Sequence, residues 1–127
     1  LIETFEIVAK AVADPSRVRI LKLLEGGELC VCQITAVLHL APATVSKHLA
    51  LLKMAGLLQQ RRNGKWVYYR PAEGEMNLYV RPFLTLVRKS LNNDPTVVED
   101  RRLLTHVNSI TLQVLCDQGK TRRGKRI

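Results

Sequence analysis

Apolar residues recur along this chain at helical spacing, break once into strand-like runs, and return to helical spacing. Ile2, Phe5, Val8, Ala9 and Val12 lie three or four residues apart or adjacent on one face, predicting an amphipathic helix. ADPSRVRILKLLEGG predicts the next, with Asp14 as N-cap, Pro15 in the first position and Gly26-Gly27 beyond the end. Its expected buried stripe is Val18, Leu21 and Leu24, with Ile20 beside them. A short helix is expected from about Val31 to Leu38, with Ile34, Val37 and Leu38 facing the core. APATVSKHLALLKMAG starts another near Pro42 and stops it at Gly56. Val45, Leu49 and Leu52 face inward there, leaving Thr44, Ser46, Lys47 and His48 near the exposed N-terminal half. Then LLQQRR and KWVYYR flank Asn63-Gly64, predicting a β-hairpin closed by a type I′ turn. Helical spacing resumes from Asn77 to Leu91 through Tyr79, Val80, Phe83, Leu84 and Val87. It restarts at Asp94-Pro95, with one or two further helical stretches before Cys116.

Two helices joined by a tight turn, the second opening on small polar and basic residues, make a helix-turn-helix, and a basic hairpin directly after it makes a wing. The expected class is therefore mainly α: a winged helix-turn-helix with a two-stranded wing. Residues 1–92 would form the DNA-binding and dimerisation domain, and residues 93–127 a helical extension with a basic tail. Phe5, Val8 and Val12, with Tyr79, Phe83 and Val87, exceed the needs of one small core. They are expected to bury each other across a two-fold axis, spacing two recognition helices for half-sites about 34 Å apart.

Charge sharpens the picture. Twenty Lys and Arg stand against eleven Asp and Glu, a formal +9. No acidic residue lies between Leu29 and Ala72, where Lys47, Lys53, Arg61, Arg62, Lys65 and Arg70 fall. A patterned acid-free stretch implies a polyanion partner, double-stranded DNA. Thr44, Ser46 and His48 are candidates for base edges or phosphates, while Lys47, Arg61, Arg62 and Lys65 would mostly neutralise phosphate. TVSKHLALL read merely as a core helix leaves the basic hairpin unexplained. The closing KTRRGKRI reads as a solvated tail.

At 127 residues and 46% hydrophobic, one soluble domain with a modest core is expected. No apolar run approaches the ~20 residues that span a bilayer, and LIETFE is acidic where a secretory signal is basic. Membrane attachment is not expected, and the cytoplasm is. Catalysis is disfavoured too. His39, His48 and His106 are scattered, no glycine-rich phosphate loop occurs, and the cysteine pair is C-x-C where a thiol reductase would carry C-x-x-C. A thiol-based redox enzyme is the alternative of a different class.

The cysteines carry the remaining chemistry. Three is an odd count, unsuited to a disulfide framework, and a bridge between Cys30 and Cys32 would be strained. Reduced thiols fit better. Both residues are either small buried hydrophobes or an ion site. Residues two apart on an ideal helix diverge by about 200°, but at a first turn both sulfurs can converge on one atom. Helix starts also favour thiolates, which select thiophilic ions.

DPSRVRILKLL, ELCVC, TVSKHLALLKMAGLL and RRNGKWVYYR, in this order, resemble the ArsR/SmtB family of winged-helix metalloregulatory repressors. The likeness runs from the first helix to about Leu91, and ELCVC is most similar to the arsenical-resistance repressors. It implies a homodimer that represses a resistance operon and leaves DNA when arsenite or antimonite binds Cys30 and Cys32, with no organic cofactor. Repressors of this type often carry a third cysteine where this chain has Thr35. Cadmium- and lead-sensing relatives add thiols from an N-terminal extension not found in these 127 residues, and leave cadmium or lead as the alternative inducer. Zinc sensors carry Asp, His and Glu on the late helix, where NLYVRPFLTLVRKSL has none. Trivalent arsenic takes three sulfurs, so Cys116 is the candidate third ligand; the competing reading is a packed or frayed terminal cysteine.

Overall fold

The computed structural model describes residues 1–74 and 77–117, and the KTRRGKRI tail lies outside them. The order is α1 (Ile2–Val12), α2 (Pro15–Leu23), a 3-10 turn (Leu24–Gly26), β1 (Leu29–Cys30), α3 (Val31–Leu38), α4 (Pro42–Met54), β2 (Leu58–Asn63), β3 (Trp66–Pro71), α5 (Val80–Lys89) and α6 (Pro95–Val107). A short helix over residues 112–117 follows.

The boundaries have local causes. Asp14 caps α2 by accepting from the Arg17 N–H at 3.0 Å, and Asp94 caps α6 from Thr96 and Val97 at 2.9 and 3.2 Å. The turn between α3 and α4 passes through His39, whose φ of 55° is left-handed; histidine is among the residues that tolerate this region. α4 ends in a Schellman motif. Leu57 N–H reaches Leu52 O at 3.0 Å and Gly56 N–H reaches Lys53 O at 2.9 Å, with Gly56 at φ 85°.

α3 and α4 bury the expected residues, Ile34, Val37 and Leu38, and Val45, Leu49 and Leu52. α2 does not. Ile20 to Leu24 are all buried, Lys22 included, while Val18 is half-buried. A single stripe serves a helix packed on one side, and α2 packs against α1, α3, α4, α5 and α6. Lys22 is accommodated because its Nζ donates to Glu25 Oε1 (2.8 Å), Val87 O (3.0 Å), Arg88 O (3.3 Å) and Asn92 Oδ1 (3.0 Å). Two of those oxygens are carbonyls at the end of α5, which stops at Lys89, short of the expected Leu91.

The wing also differs by one residue. Asn63 pairs with Trp66, so the loop is Gly64-Lys65. Only Gly64 has a positive φ, 62°, the pattern of a type II′ turn. The Asn63-Gly64 loop would have set Arg62 directly opposite Lys65, a repulsive cross-strand pair. The observed register sets Arg61 opposite Tyr68, with the guanidinium 4.6 Å from the ring centroid. A third strand escaped the pattern because it is two residues long. β1 pairs antiparallel with β3, Cys30 opposite Tyr68, giving the sheet order β1-β3-β2.

α1 and α5 meet within one chain. Phe5 packs edge-on to Tyr79 at 5.3 Å and tilted to Phe83 at 5.9 Å. Val8 and Val87 are buried in the same chain's core and are not open to a partner, which corrects their expected place at a two-fold interface. Residues beyond 92 share this core. Val107 and Leu115 belong to the main cluster, and Arg19 grips Asp100 through two bonds of 2.8 and 2.9 Å.

Candidate functional site

α4 presents one polar face. Burial of Val45 and Leu49 leaves Thr44, Ser46 and Lys47 exposed on the first two turns, with no side chain closing the N-terminus. His48 is not on that face. Its side chain is 17% exposed, and Nδ1 accepts from Arg17 Nη1 at 3.2 Å. Arg17 also donates to Ala11 O (2.6 Å) and Lys10 O (3.0 Å). His48 therefore braces α4 against the α1–α2 corner, because its helical phase turns it toward α2.

The wing cations divide in the same way. Arg61 forms an ion pair with Glu28, its Nε donating at 2.9 and 3.0 Å. That guanidinium holds the Glu28 carboxyl below the usual carboxylate range, and the Arg61 pKa is raised in turn. Arg61 thus ties the wing to the turn before β1. Lys65 lies 4.8 Å from the Trp66 ring centroid and donates to Gln113 Oε1 at 2.5 Å. Arg62 is exposed, with no ion-pair partner among the described residues.

The cysteines gather where these parts meet. Cys30, 2% exposed, ends β1 and precedes α3; its N–H donates to Gln33 Oε1 at 2.8 Å. Gln33 in turn donates to Asn108 Oδ1 at 3.0 Å, fastening the start of α3 to the end of α6. Leu115 is buried in the main core, and the helix over residues 112–117 thereby brings Cys116 to Cys32 across 84 residues of sequence. The two are joined as a disulfide with Cα atoms 5.4 Å apart, against the expectation of three reduced thiols; Cys30 stays free. The odd count argued only against a fully paired framework, and packing of the terminal helix supplied one partner. A cavity of about 310 Å³ is lined by all three cysteines with Trp66, Val67 and Gln113. In this bridged state no group of three His, Cys, Asp or Glu is poised to hold a metal ion among the described residues. Thr35 offers no ligand: it is buried, and its Oγ1 donates to Val31 O at 2.8 Å.

Sequence reasoning missed Gln33, Trp66 and Gln113. Gln33 was detectable as the N3 residue of a capping arrangement; Gln113 carried no signal, because only tertiary packing sets it beside the wing.

The family described as "Bacterial regulatory protein, arsR family" matches residues 14–60. An arsenic resistance transcriptional regulator, ArsR1 of Pseudomonas putida, is 51% identical over 65 residues, 50% of this chain and 51% of that protein. The chain thus spans about half the length of that relative. An arsenical resistance operon repressor of Bacillus subtilis is 33% identical over 78 residues, covering 61% of this chain and 74% of the repressor. Among solved structures, a homodimeric winged helix-turn-helix DNA-binding domain from Mycobacterium bovis matches with a TM-score of 0.59 at 34% identity, over 68% of this chain and 77% of that domain. These relatives are transcriptional regulators, and no helix among the described residues is long and apolar enough to cross a membrane. With the winged helix-turn-helix complete and in this order, the chain belongs to the ArsR family of bacterial regulatory proteins.

Proposed function

We propose that this protein is a metalloid-responsive repressor that binds operator DNA as a homodimer and releases it when arsenite or antimonite is held by Cys30, Cys32 and Cys116. The observation that supports this is that all three cysteines line one cavity at the start of α3, the helix that supports α4. Thr44, Ser46 and Lys47 would enter the major groove, with Arg62 and Lys65 against phosphate. Arg61 and His48 would serve mainly to fix the wing and α4 in place. Ile2, Phe5, Ile7 and Leu86 keep exposed apolar surface on α1 and α5, and these would pair the two copies. Sedimentation at micromolar concentration should read a dimer; a stable monomer would remove this pairing.

The coupling path is short. Cys30 ends the strand paired with β3 of the wing, and α3 packs directly on α4. An ion drawing the sulfurs together shifts both DNA-reading parts without a long relay. A coupling of about 1–3 kcal/mol lowers DNA affinity about 5–150-fold.

Fluorescence anisotropy of the reduced protein on its operator tests the reading. Arsenite should release the DNA at concentrations matching the thiol sites, and cadmium should need more. Release by cadmium or lead alone would favour the alternative inducers. Indifference to every thiophilic ion would end the proposal. Arg62→Ala should weaken binding to all sequences alike and lower the slope of log K against log salt by about 0.9 per wing. An unchanged slope would place Arg62 away from phosphate.

A further inference from the structure

The cavity that the three cysteines line is also walled by the wing. Lys65, Trp66 and Val67 line it together with Cys116 and Gln113 of the helix over residues 112–117. Lys65 is the second residue of the wing loop, placed to meet phosphate, yet its ammonium donates to Gln113 Oε1 at 2.5 Å and sits over Trp66. Gln113 is itself held in orientation, its Nε2 lying 3.2 and 3.3 Å from the two carboxylate oxygens of Asp117. Cys116 is joined to Cys32 in this same arrangement.

We propose that the helix over residues 112–117 is a clamp on the wing: when Cys116 is tied to the start of α3, Gln113 captures Lys65 and withdraws it from DNA phosphate. This deepens the function proposed above, on which its meaning for DNA rests. It adds a second route of release beside movement of α4, and it makes Gln113 a positioning residue for the wing. A shared ion or the disulfide would tie Cys116 equally, so the clamp can be tested without any metalloid. Opening it needs only a dithiol reagent. Dithiothreitol breaks the Cys32–Cys116 bond, each sulfur gains one electron and one proton, and the reagent leaves as its cyclic disulfide. Three cysteines then stand reduced, and nothing covalent holds the helix over residues 112–117, which carries Gln113, to the start of α3.

The full chain is compared in its disulfide and reduced forms. Acetylation of Lys65 by an N-hydroxysuccinimide ester, followed by peptide mass, should be severalfold slower in the disulfide form. Gln113→Ala should abolish the difference, and Gln113→Glu, which keeps an acceptor for the ammonium, should restore it. Equal labelling of the two forms of the unaltered chain overturns the clamp, as does a difference that survives Gln113→Ala. On DNA, the salt slope of the unaltered chain should be about 0.9 lower per wing in the disulfide form, one phosphate contact having been lost. The Gln113→Ala slope should be the same in both forms. Slopes equal in the unaltered chain overturn the withdrawal from phosphate. Failure to bind DNA at all would sink the proposed function, while the labelling result still decides the clamp.

Discussion

Cys32→Ser protein should hold its operator through arsenite concentrations that strip the unaltered chain from it, and Cys30→Ser should do the same. Trivalent arsenic forms three bonds in a pyramid. Serine offers a hard, protonated oxygen where a soft thiolate is needed, so either change removes a primary ligand. Neither residue belongs to the DNA-facing set proposed above. Cys30 is buried between β1 and α3, and Cys32 is half-buried against Cys116, so affinity for DNA without arsenite should stay within about threefold of normal, roughly 0.6 kcal/mol. Release should then be lost over the whole coupling range of about 5–150-fold. Cys116→Ser should behave differently. Two sulfurs within the first turn of α3 remain, and the variant should still release DNA, but only at higher arsenite. All titrations need reduced protein, because the disulfide occupies two of the three sulfurs. Anisotropy curves for the three variants, read together, rank the ligands. A Cys116 variant indistinguishable from the unaltered chain would remove Cys116 from the site and leave the pair standing.

Replacing Lys22 by Met should cost about 3 kcal/mol of folding stability, the low end for breaking a buried ion pair. The change keeps the apolar stem and deletes the ammonium that serves four oxygens. The Val87 carbonyl keeps the Ser90 N–H at 3.1 Å but loses its second donor in the interior, a bond to a charged group. The loss stays at the low end because Glu25 keeps Arg101 at 3.1 Å and Asn92 keeps the same guanidinium at 3.1 Å. For a chain of this size the midpoint of thermal unfolding should fall by about 10 °C. Lys10→Met is the matched control. Its ion pair with Glu6 is surface-exposed, and such pairs contribute about 0–1 kcal/mol. Circular dichroism melts of the two variants separate them cleanly. If Lys22→Met melts with Lys10→Met, the buried ammonium does not hold α5 to α2.

The division between what could be read early and what could not follows interaction range. Caps, helical periods and the helix-turn-helix were legible in residues 14–56 because each depends on neighbours within about four positions. Asp14, Pro15, Pro42 and Gly56 act where their own backbone lies, and Ile34, Val37, Leu38, Val45, Leu49 and Leu52 face inward by period alone. The acid-free stretch and ELCVC are likewise properties of the chain itself, and they pointed to DNA and to thiophilic ions before any fold existed.

Long-range pairing decided the rest. The wing register went to Gly64-Lys65 because cross-strand partners outweigh the turn preference of Asn63-Gly64. β1 exists only because β3 is there to pair with it. Whether Val8 and Val87 face a partner or their own core depends on how α1 meets α5, which no local pattern records. His48 and Arg61, equivalent to their basic neighbours as letters, are engaged within the chain by Arg17 and Glu28. Cys116 is the plainest case. Its neighbours made docking conceivable, but its position beside Cys32 comes from burial of Leu115 in a core assembled by α2, α3 and α4. A contact spanning 84 residues is settled by the packing of the whole domain, since its closure entropy is repaid only by surface buried elsewhere.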